Sequence, residues 1–175
     1  MTSAAKDSWK SKIKPHPVKR APLGFEALYA ELEADRIRSG LIPKAMEDKW
    51  FIFFKDGWLY FHRSWTGHCI YAVRFDESAS GLLAVDSWVN RDSDQYKVTD
   101  VSYDRKMVCF LIDAFLLHKP AEFPKPTDQP EALPGVFQHS MVGRAYPETK
   151  HRPESKIGLL FRRLTRVFKK KKHGA

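Results

Sequence analysis

The chain has 175 residues, of which 43% are hydrophobic and 29% charged, the proportions of one ordinary globular domain. No run approaches the roughly 18 to 20 consecutive apolar residues of a membrane span, and the N-terminus has no apolar core of the secretory kind. The two cysteines, Cys69 and Cys109, form no CxxC pair, which excludes a disulfide scaffold and a structural zinc ribbon and, with the other absences, predicts a cytoplasmic protein.

The first 20 residues hold six Lys and Arg against Asp7, and their KPHPVKRAP run has no apolar period. Residues 1–22 are therefore expected to be a basic, flexible segment. A helix is predicted from Gly24 to Ser39, with Phe25, Leu28, Tyr29 and Leu32 in one stripe and Gly40 as its C-cap.

The strongest pattern follows, KWFIFFKDGWLYFHRSWTGHCIYAVRF. Asp56-Gly57 between two aromatic runs is a hairpin signal, because a type I′ turn needs positive φ at both central positions. That turn sets the register: Lys55 faces Trp58, Phe53 faces Tyr60 and Phe51 faces His62. One face then holds Trp50, Ile52, Phe54, Leu59, Phe61 and Arg63 and reads as core. The other holds Phe51, Phe53, Lys55, Trp58, Tyr60 and His62 and is either half-covered or a binding surface. A third strand is expected over His68–Phe75, a polar loop over Asp76–Gly81, and a fourth strand over Leu82–Val89. Ser102–His118 reads as a second helix with Met107, Phe110, Leu111, Ala114 and Phe115 on its inner face. Asp92, Asp94, Asp100 and Asp104 read as loop and helix-start residues near a positive helix end.

Prolines recur from Pro120 to Pro153, with VFQHSMV as one segment that can dock. Residues 154–175 are predicted to form a basic amphipathic helix. Ile157, Leu160, Phe161, Leu164, Val167 and Phe168 fall within an arc of about 120°, and Arg162, Arg163, Arg166, Lys169 and Lys170 lie opposite. Leu159 breaks the basic side. The predicted fold is α+β: a four-stranded antiparallel sheet with flanking helices (residues 23–120), then a Pro-rich linker (121–153) carrying the C-terminal helix.

Charge follows this division. Residues 1–149 carry 20 basic and 20 acidic side chains, whereas 150–175 carry ten basic ones against Glu154 alone, which is the whole net charge of +9. Removing the first 20 residues leaves 21–149 acidic by five, 14 against 19. A mildly acidic domain with basic ends points to an anionic partner: a membrane surface, an acidic protein or, less well matched to an acidic domain, nucleic acid. The chain is then cytoplasmic with association to a membrane.

The sequence has no Gly-rich phosphate loop, GxSxG elbow, HExxH or paired-Cys spacing, so it names no catalytic residue, no cofactor and no metal. Its densest polar cluster is one hairpin edge, with His62, Arg63, Trp65 and His68, and Trp50 across from Arg63. Arg74, Asn90 and Arg91 are expected near the same rim. A guanidinium fork, flat rings and a neutral imidazole suit a phosphate joined to a planar ring, a nucleotide-like ligand. The competing reading makes these residues structural. A metal on His62, His68 and Cys69 has an unusual spacing, and Cys69 alternates away from His68 on a strand.

The stretches DGWLYFHRSWTG and VNRDSDQY, with the tryptophan-led strand at Trp50, resemble a small family of uncharacterised bacterial proteins. The resemblance covers about residues 45 to 120 and excludes the tail. It implies a link to ADP-ribose-processing proteins as companions or appended domains, and it supplies no catalytic residue. Three functions follow: a binding or adaptor domain tethered by its basic helix, an enzyme or sensor for an ADP-ribose-type ligand at the Arg63/Trp65 rim, and a nucleic-acid binder using its basic termini.

Overall fold

The hairpin forms as its turn chemistry dictates. In the computed structural model, which describes residues 3–9, 13–45, 47–125 and 136–143, strands β3 (Trp50–Lys55) and β4 (Trp58–Arg63) pair antiparallel with Lys55 opposite Trp58, Phe53 opposite Tyr60 and Trp50 opposite Arg63. Asp56 and Gly57 both have positive φ, 51° and 78°, as a type I′ turn requires.

β5 (Cys69–Ser78) and β6 (Gly81–Asn90) continue the sheet. The polar loop expected over Asp76–Gly81 shrinks to Ala79-Ser80, because Ser78 pairs with Gly81 and the strands run on through the polar residues. Bulges interrupt the ladder at Phe61/His62 and at Arg74/Phe75.

The sheet has six strands, not four. β1 (Arg20–Pro22) and β2 (Leu28–Tyr29) both pair with β6, whose outer edge would otherwise expose a row of unpaired backbone groups. This corrects the helix predicted from Gly24. The backbone of 23–29 bonds along β6 instead, with Leu23 N donating to Ser87 O, Phe25 N to Ser87 Oγ and Ala84 N to Ala27 O. Helix α1 is confined to Glu31–Ser39, with Gly40 at its end. The predicted stripe dissolves accordingly: Leu32 is 88% exposed, and the buried residues of α1 are Ala34 and Ile37. Gly81 permits this crossing, since any side chain there would overlap the Tyr29 carbonyl oxygen.

Helix α2 (Val101–Phe110) is capped by Asp100, whose carboxylate accepts from Ser102 N and Tyr103 N, and it widens into a π-helical stretch over Leu111–Leu116. Of its expected inner face, Met107, Phe110, Leu111 and Ala114 are buried and Phe115 is half-buried. Cys109 is exposed beside Asp113, whereas Cys69 is buried. The helices cover the face bearing Trp50, Ile52, Leu59, Phe61, Tyr71 and Val73, all fully buried.

The opposite face carries a second cluster, Ala4, Phe51 and Phe53, with Trp9, Ile13, Ile42 and Tyr60 against it. Residues 3–9 and 13–19, expected to be flexible, run across this face. Ala4 N donates to Ser39 O, Trp9 Nε1 to Ser64 O and Lys14 N to Gly67 O. The apolar side chains among the lysines are what hold it. Within the Pro-rich stretch, VFQHSMV is helix α3 (Val136–Val142). The predicted tail helix, from Ile157 to Lys170, lies outside the described residues. Among the described residues no helix is long and apolar enough to cross a membrane.

Candidate ligand groove and buried polar networks

The sheet alternation divides the rim cluster between two faces. Trp50 and Arg63 lie on the helix-covered face. Trp50 is buried, stacks on Tyr71 with ring centres 5.8 Å apart, and carries the Arg63 guanidinium 4.4 Å above its own ring. Both donate to one acceptor, the Met141 carbonyl of α3: Arg63 Nη1 at 2.7 Å and Trp50 Nε1 at 3.0 Å.

His62 lies on the other face, 1% exposed, with Phe53 stacked on it. Its Nδ1 donates to Gly67 O at 2.9 Å, and its Nε2 is buried without a hydrogen-bond partner. Trp65 points outward, 59% exposed, with the Lys49 ammonium over its ring. His68 is half-buried in the loop before β5. Cys69 stays a neutral thiol donating to Tyr71 O, since burial raises its pKa.

Arg74 is not on this rim. It pairs across from Trp58, at the hairpin end of the sheet, five residues and about 15 Å along β4 from Arg63, and its guanidinium faces Asp76. Asn90 and Arg91 do end β6 at the rim, but both are engaged. Asn90 Nδ2 donates to Cys69 O and Gln95 Oε1, and its Oδ1 accepts from Asp92 N. Arg91 donates to Val98 O and to the buried Asp104.

Asp104 stands at the helix start, as expected, but its burial was not foreseen. It belongs to the first turn of α2, yet it is fully buried and accepts from Tyr71 OH, Tyr96 OH and Arg91 Nη2. Burial first, then neighbouring phenols and the Asp104 charge, raise the pKa values of Tyr71 and Tyr96, so both stay protonated donors. The network fastens α2 and the loop after β6 to the sheet.

The open site lies on the outer face. A groove of about 460 Å³ is lined by Lys6, Lys14 and His16 from the N-terminal segment and by Phe53, Lys55 and Tyr60 from the hairpin, with Asp56 at one end. Tyr60 belongs to a row of rings: Trp58 stacks beside it at 6.2 Å, His16 at 4.9 Å, and His16 lies 5.7 Å from Trp88. Arg20 covers Trp88 at 5.2 Å. Burial, with Arg20 and Lys6 close by, lowers the pKa of His16, so its imidazole is neutral near pH 7. Three ammonium groups, a neutral imidazole and half-buried rings can hold a phosphate and stack a planar ring. The rings were legible as one face of the hairpin. Lys6 and Lys14, which complete the groove, were not, because the segment carrying them looked unattached.

Set against protein-family models, curated proteins and solved structures, the chain matches none of them.

Proposed function

We propose that the chain is a binding domain for an anionic, ring-bearing ligand of the nucleotide type, taken in the outer groove between the N-terminal segment and the β3–β4 hairpin. The observation that carries this reading is that Lys6, Lys14 and Lys55 line, together with the half-buried Tyr60 ring, a groove of about 460 Å³, a size typical of small-molecule sites. The ammonium groups meet the phosphate and the rings meet the base.

Calorimetric titration with AMP and ADP-ribose tests it. Both are expected to bind, Tyr60→Ala to weaken them by about tenfold, since base stacking is worth about 1–3 kcal/mol, and Lys14→Glu with Lys55→Glu to abolish binding. Binding of an oligonucleotide alone, with a steep salt dependence, would transfer the site to single-stranded nucleic acid. Consumption of ADP-ribose during the titration would make it an enzyme.

The segregation of charge favours a second element, tethering by the tail. Residues 150–175 hold the entire +9, and on a helical wheel Ile157, Phe161, Leu164 and Phe168 would fall opposite Arg162, Arg163, Arg166, Lys169 and Lys170. Each basic residue contributes about 1 kcal/mol at an acidic leaflet, and the arc adds burial in the interface. Deleting 154–175 is expected to abolish co-sedimentation with vesicles rich in phosphatidylserine and to leave the thermal midpoint unchanged. Phe161→Asp with Phe168→Asp should also abolish it. Normal binding by that double variant would mean charge alone acts, and a lowered midpoint on truncation would mean the tail packs on its own domain.

A further inference from the structure

Arg63 is a largely enclosed cation. Among the described residues no carboxylate lies within ion-pair distance of it, and the buried Asp104 is committed to Arg91, Tyr71 and Tyr96. The ionisable groups acting on Arg63 are the phenols of Tyr71, Tyr96 and Tyr103, which burial keeps protonated and neutral. A guanidinium in such surroundings calls for negative charge.

What it has instead is the end of α3. The Met141 carbonyl accepts from Arg63 Nη1 and Trp50 Nε1 together, and Met141 Sδ lies 3.4 Å from Nη2. That carbonyl is in the last turn of α3, where helical carbonyls are unpaired and the helix dipole presents its negative end. Two converging donors, one of them a cation, thus hold a single neutral oxygen with a partial charge. A phosphate offers several oxygens and a full charge to the same donors.

We propose that Arg63 and Trp50 form a phosphate-binding site, separate from the outer groove, which α3 closes by placing the Met141 carbonyl where a phosphate oxygen sits. α3 is suited to be displaced. It has seven residues, too few to be a stable helix by itself, and prolines stand on both sides of it in the chain. Its seat depends on Gly143, at φ 81°, where a side chain would collide with the Glu47 carbonyl oxygen.

Gly143→Val in the full chain tests this by lifting α3. Tryptophan emission should shift to the red as Trp50 gains water. Inorganic phosphate, exchanged for chloride at constant ionic strength, should raise the melting midpoint of Gly143→Val by about 4 °C at ten times its dissociation constant, and that of the unaltered protein by clearly less. Adding Arg63→Gln should remove the gain, whereas adding Lys14→Glu, in the outer groove, should leave it. Equal stabilisation with and without Gly143→Val, a gain that survives Arg63→Gln, or no gain at all overturns the proposal. If Arg63→Gln does not fold, iodide quenching of the Gly143→Val emission replaces it. Phosphate must then compete iodide away, and failure to compete is equally decisive.

Discussion

Asp104→Ala is expected to cost about 3–5 kcal/mol of folding stability, the range for removing one partner of a buried ion pair. The carboxylate is fully buried and serves three donors: Tyr71 OH at 3.0 Å, Tyr96 OH at 2.5 Å and Arg91 Nη2 at 2.7 Å. Taking it away leaves, among the described residues, a guanidinium, 17% exposed, with only the Val98 carbonyl, and two buried phenols with only each other. Such orphaned donors cost more than the bonds gained, because water is not there to replace the lost acceptor. Urea unfolding at pH 7 measures it. Arg91→Met added to Asp104→Ala should recover about 1–3 kcal/mol, since the second change removes the stranded charge. A loss below about 1 kcal/mol for Asp104→Ala, or no recovery in the pair, would mean the network is incidental to the fold.

That network shows where sequence reasoning stops. Asp104 reads as a helix-start carboxylate, and by position it is one. Its burial is decided by Arg91, thirteen residues earlier, and by Tyr71 on a central strand, and no local pattern joins the three. The hairpin is the opposite case. Asp56-Gly57 admits one tight turn, the turn sets the register, and the register sorts twelve side chains onto two faces. Every pairing followed from two residues. β1 and β2 were invisible for a third reason. They are three and two residues long, and they exist because β6 has an edge to be paired, a demand made by the sheet and not by their own composition. The outer groove inherits that difficulty, since its hairpin half was legible and its N-terminal half was not. The opposed donors Trp50 and Arg63 were legible from register, and VFQHSMV was recognisable as a docking segment. That the segment ends on those two donors depends on the path of the Pro-rich chain.

The outer face should make the fold sensitive to mild acid through His62. Its Nδ1 donates to the Gly67 carbonyl, so a second proton must enter at Nε2, which is buried without a partner. Burial chiefly, and then His16, Lys6 and His68, lower its pKa from 6.5 to about 4. Lys6 and His16 approach from the N-terminal segment and His68 from the loop after β4, and each of them opposes the proton. In the unfolded chain His62 titrates near its ordinary value. Between about pH 6.5 and 4 the unfolded state therefore binds more protons than the native one, and stability falls as the pH falls through that window. The full loss is about 3 kcal/mol, of which about 2 kcal/mol appears between pH 7 and pH 5. His62→Asn keeps a donor for Gly67 and cannot titrate. Urea midpoints at the two pH values should differ by that much more in the parent protein than in His62→Asn. The parent should lose nothing further from this group below about pH 4, where native and unfolded His62 are both protonated. Equal pH dependence in the two proteins would mean that Nε2 finds water or a carboxylate on protonation, and that the N-terminal segment lifts from the sheet more readily than its contacts with Ser39, Ser64 and Gly67 imply.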